Sequence, residues 1–443
     1  MEIRVRPAVR WTGRIVLPIL LVVAAWQVWD NVERKRLDGA YAPLTGWDIG
    51  LSSGAPTNPS QRNEEQAGRF YAAAAILAVS STADQRFQEA YLATRQREAI
   101  TGGRPLTAEE LEGRDQLLAR NEPVTALVEH GSNLRFHTLP QGGLVTNYRM
   151  NSMINAARAE SLRSLRLLEQ GDTVAAAAGI EAHLHLLRGF DLDGFGAGQK
   201  AVQIVDAASN TGLLISKRVS AEELRPLRDA FAGVYADWEP TAVVFGFARS
   251  RYDFVQAVRS GQTWQYGPWG TPLQPLIAHG AVGAIRLVGR VMEAAKQPWP
   301  TKLDAVDKFA RPDERVPTRP PFLLGFEGWL SANYFPRLMR EMADGVAASR
   351  AAITAIAIQE YTERAGQPPS SLSNLQGLGD AASDPFTGQP LHYVHDDAGF
   401  VVYSVGRDRK DDGGKVDPQT KTGSAPGFEG PRPDVGVRVR YSR

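Results

Sequence analysis

The spacing of apolar residues changes three times along the chain. Near the start, Arg4, Arg6, Arg10 and Arg14 precede an uncharged run from Ile15 to Trp29, IVLPILLVVAAWQVW. Trp11, Trp26 and Trp29 sit near its ends, where aromatic rings suit the lipid headgroup zone. The pattern predicts a signal anchor or transmembrane helix over 14–30, with residues 1–13 cytoplasmic. Val23 and Ala25 also fit a small-residue cleavage pattern, which leaves a removed signal peptide as the alternative. Residues 31–60 run through GAYAPLTGWDIGLSSGAPTNPSQ and read as linker.

From residue 61 to 296 the period is helical. Thr107 with Glu110, and Ser220 with Glu223, make capping-box spacings that predict helix starts. Asn151 to Phe190 reads as two amphipathic helices broken by Gly171-Asp172, an antiparallel hairpin with small alanines at its contact. Further helices are predicted over 197–217, 221–237 and 274–296. Residues 297–323 carry six prolines and mixed charge, so they read as a second linker holding at most a short helix. A long helix follows from Glu327 to Ala365, with a break expected near Pro336 and Ile353, Ile356 and Ala357 on one face. The period then becomes strand-like at 391–394, 400–405 and 435–441. The fold class is therefore mainly α: an N-terminal transmembrane helix, an α-helical central domain, and a small C-terminal α+β domain over 324–443 with about three antiparallel strands.

Composition narrows the function. The 443 residues hold 50 Lys and Arg against 49 Asp and Glu, so no basic excess points to nucleic acid. There is no cysteine, which excludes disulfides, thiol catalysis and cysteine-ligated zinc. The arginines before the apolar run place the N-terminus inside and the bulk of the chain outside. The expected location is thus the inner membrane, single-pass, with a periplasmic or extracytoplasmic body.

The C-terminal order is specific: a long helix, then AGQPPSSLSNL, then DPFTGQPLHYV, then GFVVYSVGRDRKDDGG. It resembles the globular domain of the type II secretion system major pseudopilin. The resemblance covers about a quarter of the chain, from Ala343 onward, and leaves the central helical region unrecognised. It implies a helix-and-sheet head and a calcium ion in the loop after the second strand. Carried over by position, Asp408 matches best, Asp411 or Asp412 supplies a second side chain, and Ser404 with nearby carbonyls completes the shell. The same loop interleaves Arg407, Arg409, Lys410 and Lys415 with its acids, and reads on its own as a solvated turn. The N-terminus departs from the family: Gly13 is followed by Arg14, and no acid lies within Ile15–Trp29.

Elsewhere the chemistry is sparse. His183 and His185 are two apart on a helix and point away from each other. His392 and His395 flank a short strand beside Asp396 and Asp397. DLDGFGAGQK, at 191–200, lacks the lysine-serine ending of a phosphate loop. WQYGPWG, at 264–270, is an aromatic loop, and no hydrolase signature occurs. No catalytic residue is assigned. The expected role is structural or protein-binding, with envelope or secretion-system partners. The alternative is a periplasmic hydrolase or ligand-binding protein with its site in the helical domain, walled by 191–200 and 264–270.

Overall fold

The computed structural model describes residues 7–47, 69–78, 91, 105–133, 147–188, 196–236, 252–253, 255–256, 270–308, 325–416 and 434–441. In chain order the helices are α1 (Pro7–Tyr41), α2 (Ala108–Ser132), α3 (Asn147–Gln170), α4 (Thr173–Arg188), α5 (Gly196–Ser216), α6 (Ala221–Ala236), α7 (Gly270–Ala295), α8 (Thr301–Asp307) and α9 (Gly325–Ala365). The strands are β1 (His392–Asp396), β2 (Gly399–Ser404) and β3 (Val435–Arg440). Residues 69–77 are also helical.

Contacts divide the chain into two units, and they cut it differently from the linear order of anchor, helical domain and head. One unit holds Met1–Gly50, Val244–Lys296 and Ala305–Pro336; the other holds Leu51–Val243, Gln297–Asp304 and Arg337–Arg443. In the first, α1 packs on α7. Glu33 meets His279 at 3.3 Å, and the Gly289 α-carbon faces Leu44, so the two helices run parallel. The inward stripe of α1 repeats every three or four residues, with Asp30, Glu33 and Leu37 buried, and Leu44 in the following turn is buried too. Helix α1 runs on through 31–41, so the expected linker begins only with the 3-10 turn Ala42–Trp47.

Among the described residues no helix is long and apolar enough to cross a membrane. The uncharged run is the reason. At about 1.5 Å per residue, 15 residues reach about 22 Å, against about 30 Å of hydrocarbon. The span expected over 14–30 is therefore a segment of a longer helix, whose next turns carry Asp30, Glu33 and Arg34.

In the second unit, local rules set the helix ends. The Glu110 amide donates to Thr107 Oγ1 at 3.2 Å, and the Thr107 amide donates to Glu110 Oε2 at 2.8 Å. Ser220 and Glu223 repeat that exchange at 3.0 and 3.3 Å. The predicted hairpin is α3 and α4, closed by Gly171 at φ +84° and by Asp172, which accepts from the Ala175 amide at 3.0 Å.

Helix α9 continues through Pro336 without the expected break. From Met342 to Gln359 every residue is buried, so the single inward face expected from Ile353, Ile356 and Ala357 is replaced by burial all round. Seven of these residues are alanine, which lets neighbours approach on each side. On one side lies α6: the Ala221 amide donates to Glu363 at 2.9 Å, and Arg228 to Glu360 at 3.0 Å. Toward the C-terminal segment, Arg350 donates to the Ser383 carbonyl at 2.8 Å, and Arg407 to Asp344 Oδ2 at 2.8 Å.

The sheet is antiparallel in the order β1-β2-β3. Helix α5, from the central region, packs on β3. A Cβ on Gly212 would stand 2.7 Å from the Arg438 carbonyl oxygen, so glycine is what allows the approach. The DPFTG turn docks through one carboxylate. Asp384 is buried; its Oδ1 accepts from the Phe386 amide and the Ser404 hydroxyl, both at 2.8 Å, and its Oδ2 accepts from the Val405 amide at 3.0 Å. Replacing Asp384 by Ala strands two amides and a hydroxyl in the interior. We expect a loss of at least about 3 kcal/mol in urea unfolding, and a smaller loss for Asp384→Asn, which keeps one acceptor. An Asp384→Ala chain as stable as the parent would show that these bonds do not hold the turn.

Candidate functional site

Three places carry unusual physical chemistry. The first is the N-terminal part of α1. Ile19, Leu20, Leu21, Val22 and Val23 are 56, 58, 61, 69 and 45% exposed. Five consecutive residues at about 100° per step pass all the way round a helix. The exposure is therefore not one face awaiting one partner. Val28, Trp29 and Val32 extend it, and the buried stripe of the helix begins beside them at Asp30.

The second place is the loop from Val405 to Val416, which folds over one face of the sheet. Val416 closes on Val401 and Tyr403, and Gly414, at φ +71°, leaves room that a Cβ would fill at 3.0 Å from both. The four residues expected to bind calcium have separate engagements here. Ser404 is buried beneath the loop and gives its hydroxyl to Asp384. Asp408 accepts from the Lys410 amide at 3.0 Å, closing its own turn. Asp411 accepts from the Tyr403 hydroxyl at 2.9 Å and the Gly413 amide at 2.8 Å, and stands 3.3 Å from His392 Nδ1. The bond from the Gly413 amide is the main reason its carboxyl is held below the ordinary range. Asp412 contributes its amide, at 3.4 Å, to Asp434.

Asp434 is the residue that sequence reasoning missed. It directly precedes β3, is buried, and also accepts from the Gly414 amide at 2.8 Å. Burial raises its carboxyl, and the charges of Asp411 and Asp412 raise it further. An acid immediately before the closing strand was the available signal, but the long intervening segment hides the pairing. The basic residues are also redistributed. Arg407 is held by Asp344 on α9, and Arg409 by Asp304 at 2.5 Å, so two of the four neighbouring positive charges are already matched. Among the described residues no group of three or more His, Asp or Glu side chains stands close enough to hold a metal ion.

The third place is inside the helices of the second unit. Glu160 on α3 and His183 on α4 are fully buried. Gly179, one turn before His183, lies so close to α3 that a Cβ would stand 2.5 Å from Ser164 Oγ and 3.0 Å from Glu160 Oε1. Arg163 donates to Glu160 at 2.7 Å. Burial nonetheless outweighs that partner and lifts the Glu160 carboxyl to about 7. Burial also lowers His183 to about 4, against a smaller opposing contribution from Gln203 on α5. His185, two residues on, lies 3.9 Å from Glu181, so the two histidines do not act together. Both groups are sealed from solvent, which suits a structural role. Of the two stretches expected to wall a pocket, 191–195 and 264–269 lie outside the described residues, and the remainder of each begins a helix.

Comparison of the chain with protein-family models, with curated proteins and with solved structures finds no match.

The buried pair makes opposite demands on pH. Glu160 holds its proton in the folded chain to about pH 7 but releases it near 4.5 when unfolded, so stability falls as pH rises through that window. His183 stays neutral in the folded chain to about pH 4 but takes a proton below 6.5 when unfolded, so stability falls as pH drops through that window. Each effect is about 3 kcal/mol at full extent. Between pH 4.5 and 6.5 the two oppose each other. Glu160→Gln should therefore leave stability rising with pH, and His183→Gln should leave it falling, in urea unfolding at stepped pH. Equal slopes in the two variants would refute the assignment.

Proposed function

We propose that this chain is a membrane-anchored envelope protein with a type II secretion pseudopilin-like C-terminal domain, acting through protein contacts rather than catalysis. The observation that carries the anchor is the exposed apolar circumference of Ile19–Val23. Water penalises such a surface on every side, whereas lipid accepts it. The arginines before it favour a cytoplasmic N-terminus and a periplasmic body. A run of about 22 Å would need its flanks to meet about 30 Å of hydrocarbon, and Trp26 and Trp29 at its C-terminal end suit an interface.

The pseudopilin-like reading is supported by a buried helix that ends at Gly366, φ +74°, by the Asp384 turn, and by three antiparallel strands in sequence order. The contacts of α5 on β3 and of α6 with α9 support a head embedded in a helical body, rather than a free subunit of a filament.

Calcium belongs to this proposal as the ligand the resemblance implies for the loop. Its support is the negative charge left once Arg407 and Arg409 are paired, and the repulsion that Asp411 and Asp412 exert on Asp434. Calcium takes hard oxygens in irregular loops, and these carboxylates are of that type. The side chains named by the resemblance do not converge on one point, and the buried Asp434, which accepts from the Gly414 amide, is the acid beside them on which the test turns.

Three measurements test these two parts separately. Leu21→Arg with Val22→Arg should move the full chain from the membrane pellet to the soluble fraction, and alkaline phosphatase fused after residue 60 should be active. A parent chain found only in the soluble fraction, or a silent but expressed fusion, would overturn the anchor. Millimolar calcium, but not magnesium, should raise the melting temperature of the full chain by several degrees, and Asp434→Asn should remove the rise. An unchanged melting temperature would remove calcium and leave the anchor standing.

A further inference from the structure

One edge of the three-stranded sheet is covered, and among the described residues no strand covers the other. Helix α5 lies along β3, where the Arg440 amide donates to Ser216 Oγ at 3.1 Å. Strand β1 stands at the other end of the strand order, and among the described residues no strand pairs with its outer side. Val394, at its centre, is 54% exposed, and the residues from Val394 to Ala398 are all exposed. The strand, His-Tyr-Val-His-Asp, carries neither the lysine nor the proline that commonly guards an exposed edge.

The direction of each backbone group follows from the hairpin. Asp397 and Ala398 form a two-residue turn, which makes Asp396 and Gly399 the closing hydrogen-bonded pair. The Tyr441 amide donates to the Ala398 carbonyl at 2.9 Å, so Ala398 faces β3. Alternation then turns Gly399, Val401 and Tyr403 toward β1. Their partners Asp396, Val394 and His392 face inward, which leaves the amides and carbonyls of Tyr393 and His395 pointing outward.

We propose that this edge pairs with the same edge of a second copy of the chain, antiparallel about a twofold axis at Val394. That register sets Tyr393 opposite the second copy's His395, so outward groups meet outward groups. It sets His392 opposite the second copy's Asp396, an imidazole against a carboxylate. It sets the two exposed valines against each other at a pair that exchanges no hydrogen bonds, with α-carbons about 4.5 Å apart. Axes at Tyr393 or His395 also match the outward groups, but they set His392 or Asp396 against Val394. Charge complementarity therefore selects the axis at Val394. An isologous contact of this kind closes as a dimer and does not propagate. Five residues bury little surface, so the contact is weak in dilute solution and is best detected by trapping.

The absence of cysteine makes the trap clean. Val394→Cys in the full chain places one thiol on the proposed axis, at a separation a disulfide accepts, about 4.4–6.8 Å between α-carbons. Mild oxidation should give a chain of doubled mass on a non-reducing gel. Val174→Cys, equally exposed at 60% on α4, serves as the control and should give at least tenfold less. Adding His395→Pro removes an outward amide without touching the bonds to β2, and should abolish the cross-link while the melting temperature stays within a few degrees. If the cysteine variant does not fold, Val394→Lys is compared with the parent by sedimentation at high concentration, where only the parent should show the doubled mass. Cross-linking at residue 394 no better than at 174, cross-linking that survives His395→Pro, or a parent monomeric at every concentration would overturn the proposal. Those results would leave the edge to a strand of another protein.

Discussion

The C-terminal half of the structure depends on where one carboxylate points. Asp384 accepts from Phe386, Ser404 and Val405, and so ties a turn to the far end of β2. A buried carboxylate is tolerable only when its lone pairs are satisfied. Each partner is therefore also a constraint. The turn must present the Phe386 amide, β2 must end at Ser404, and the chain must bend there for Val405 to donate. The acidic loop starts from that bend, so its direction is set before any of its own acids act. Arg350 holds the adjacent Ser383 carbonyl, which extends the constraint to α9.

Helix α9 is the second organising element, and its composition explains the architecture around it. A helix buried on every side needs neighbours on every side, and alanine lets them come close. The central helices supply some of those neighbours and the C-terminal segment the others. Helix α6 covers one side of α9, through Ala221 to Glu363 and Arg228 to Glu360, so the central region and the C-terminal segment share one interior.

Features fixed by local rules were legible in the sequence. The capping pairs at Thr107 and Ser220, the hairpin break at Gly171 and the strand positions depend on residues a few places apart, and the structure has them. The all-round burial of α9 was not legible, because alanine fits an inward face as well as an outward one. The pairing of α1 with α7 was also hidden, since the two are separated by the whole central region. The loop was legible as acidic and Gly-rich. The removal of Ser404 to Asp384, the pairing of Arg407 with Asp344 and the arrival of Asp434 all depend on distant chain. Pro336 misled for a simple reason: one missing donor and one crowded turn can be carried by a long helix whose turns from Met342 to Gln359 are buried.

The glycine that brings α4 against α3 also has a historical consequence. Gly179 leaves no space beside Glu160 for a larger side chain, so neither position drifts freely. Glu160 and His183 bind their protons in opposite senses, and loss of either exposes the other's dependence on acidity. Substitution should therefore be correlated in related chains: lineages that replace the glutamate with a neutral residue should replace the histidine as well, and lineages that keep one should keep both together with the glycine. The interior of this helical pair would then evolve as a unit of three positions, at a pace set by the least replaceable of them.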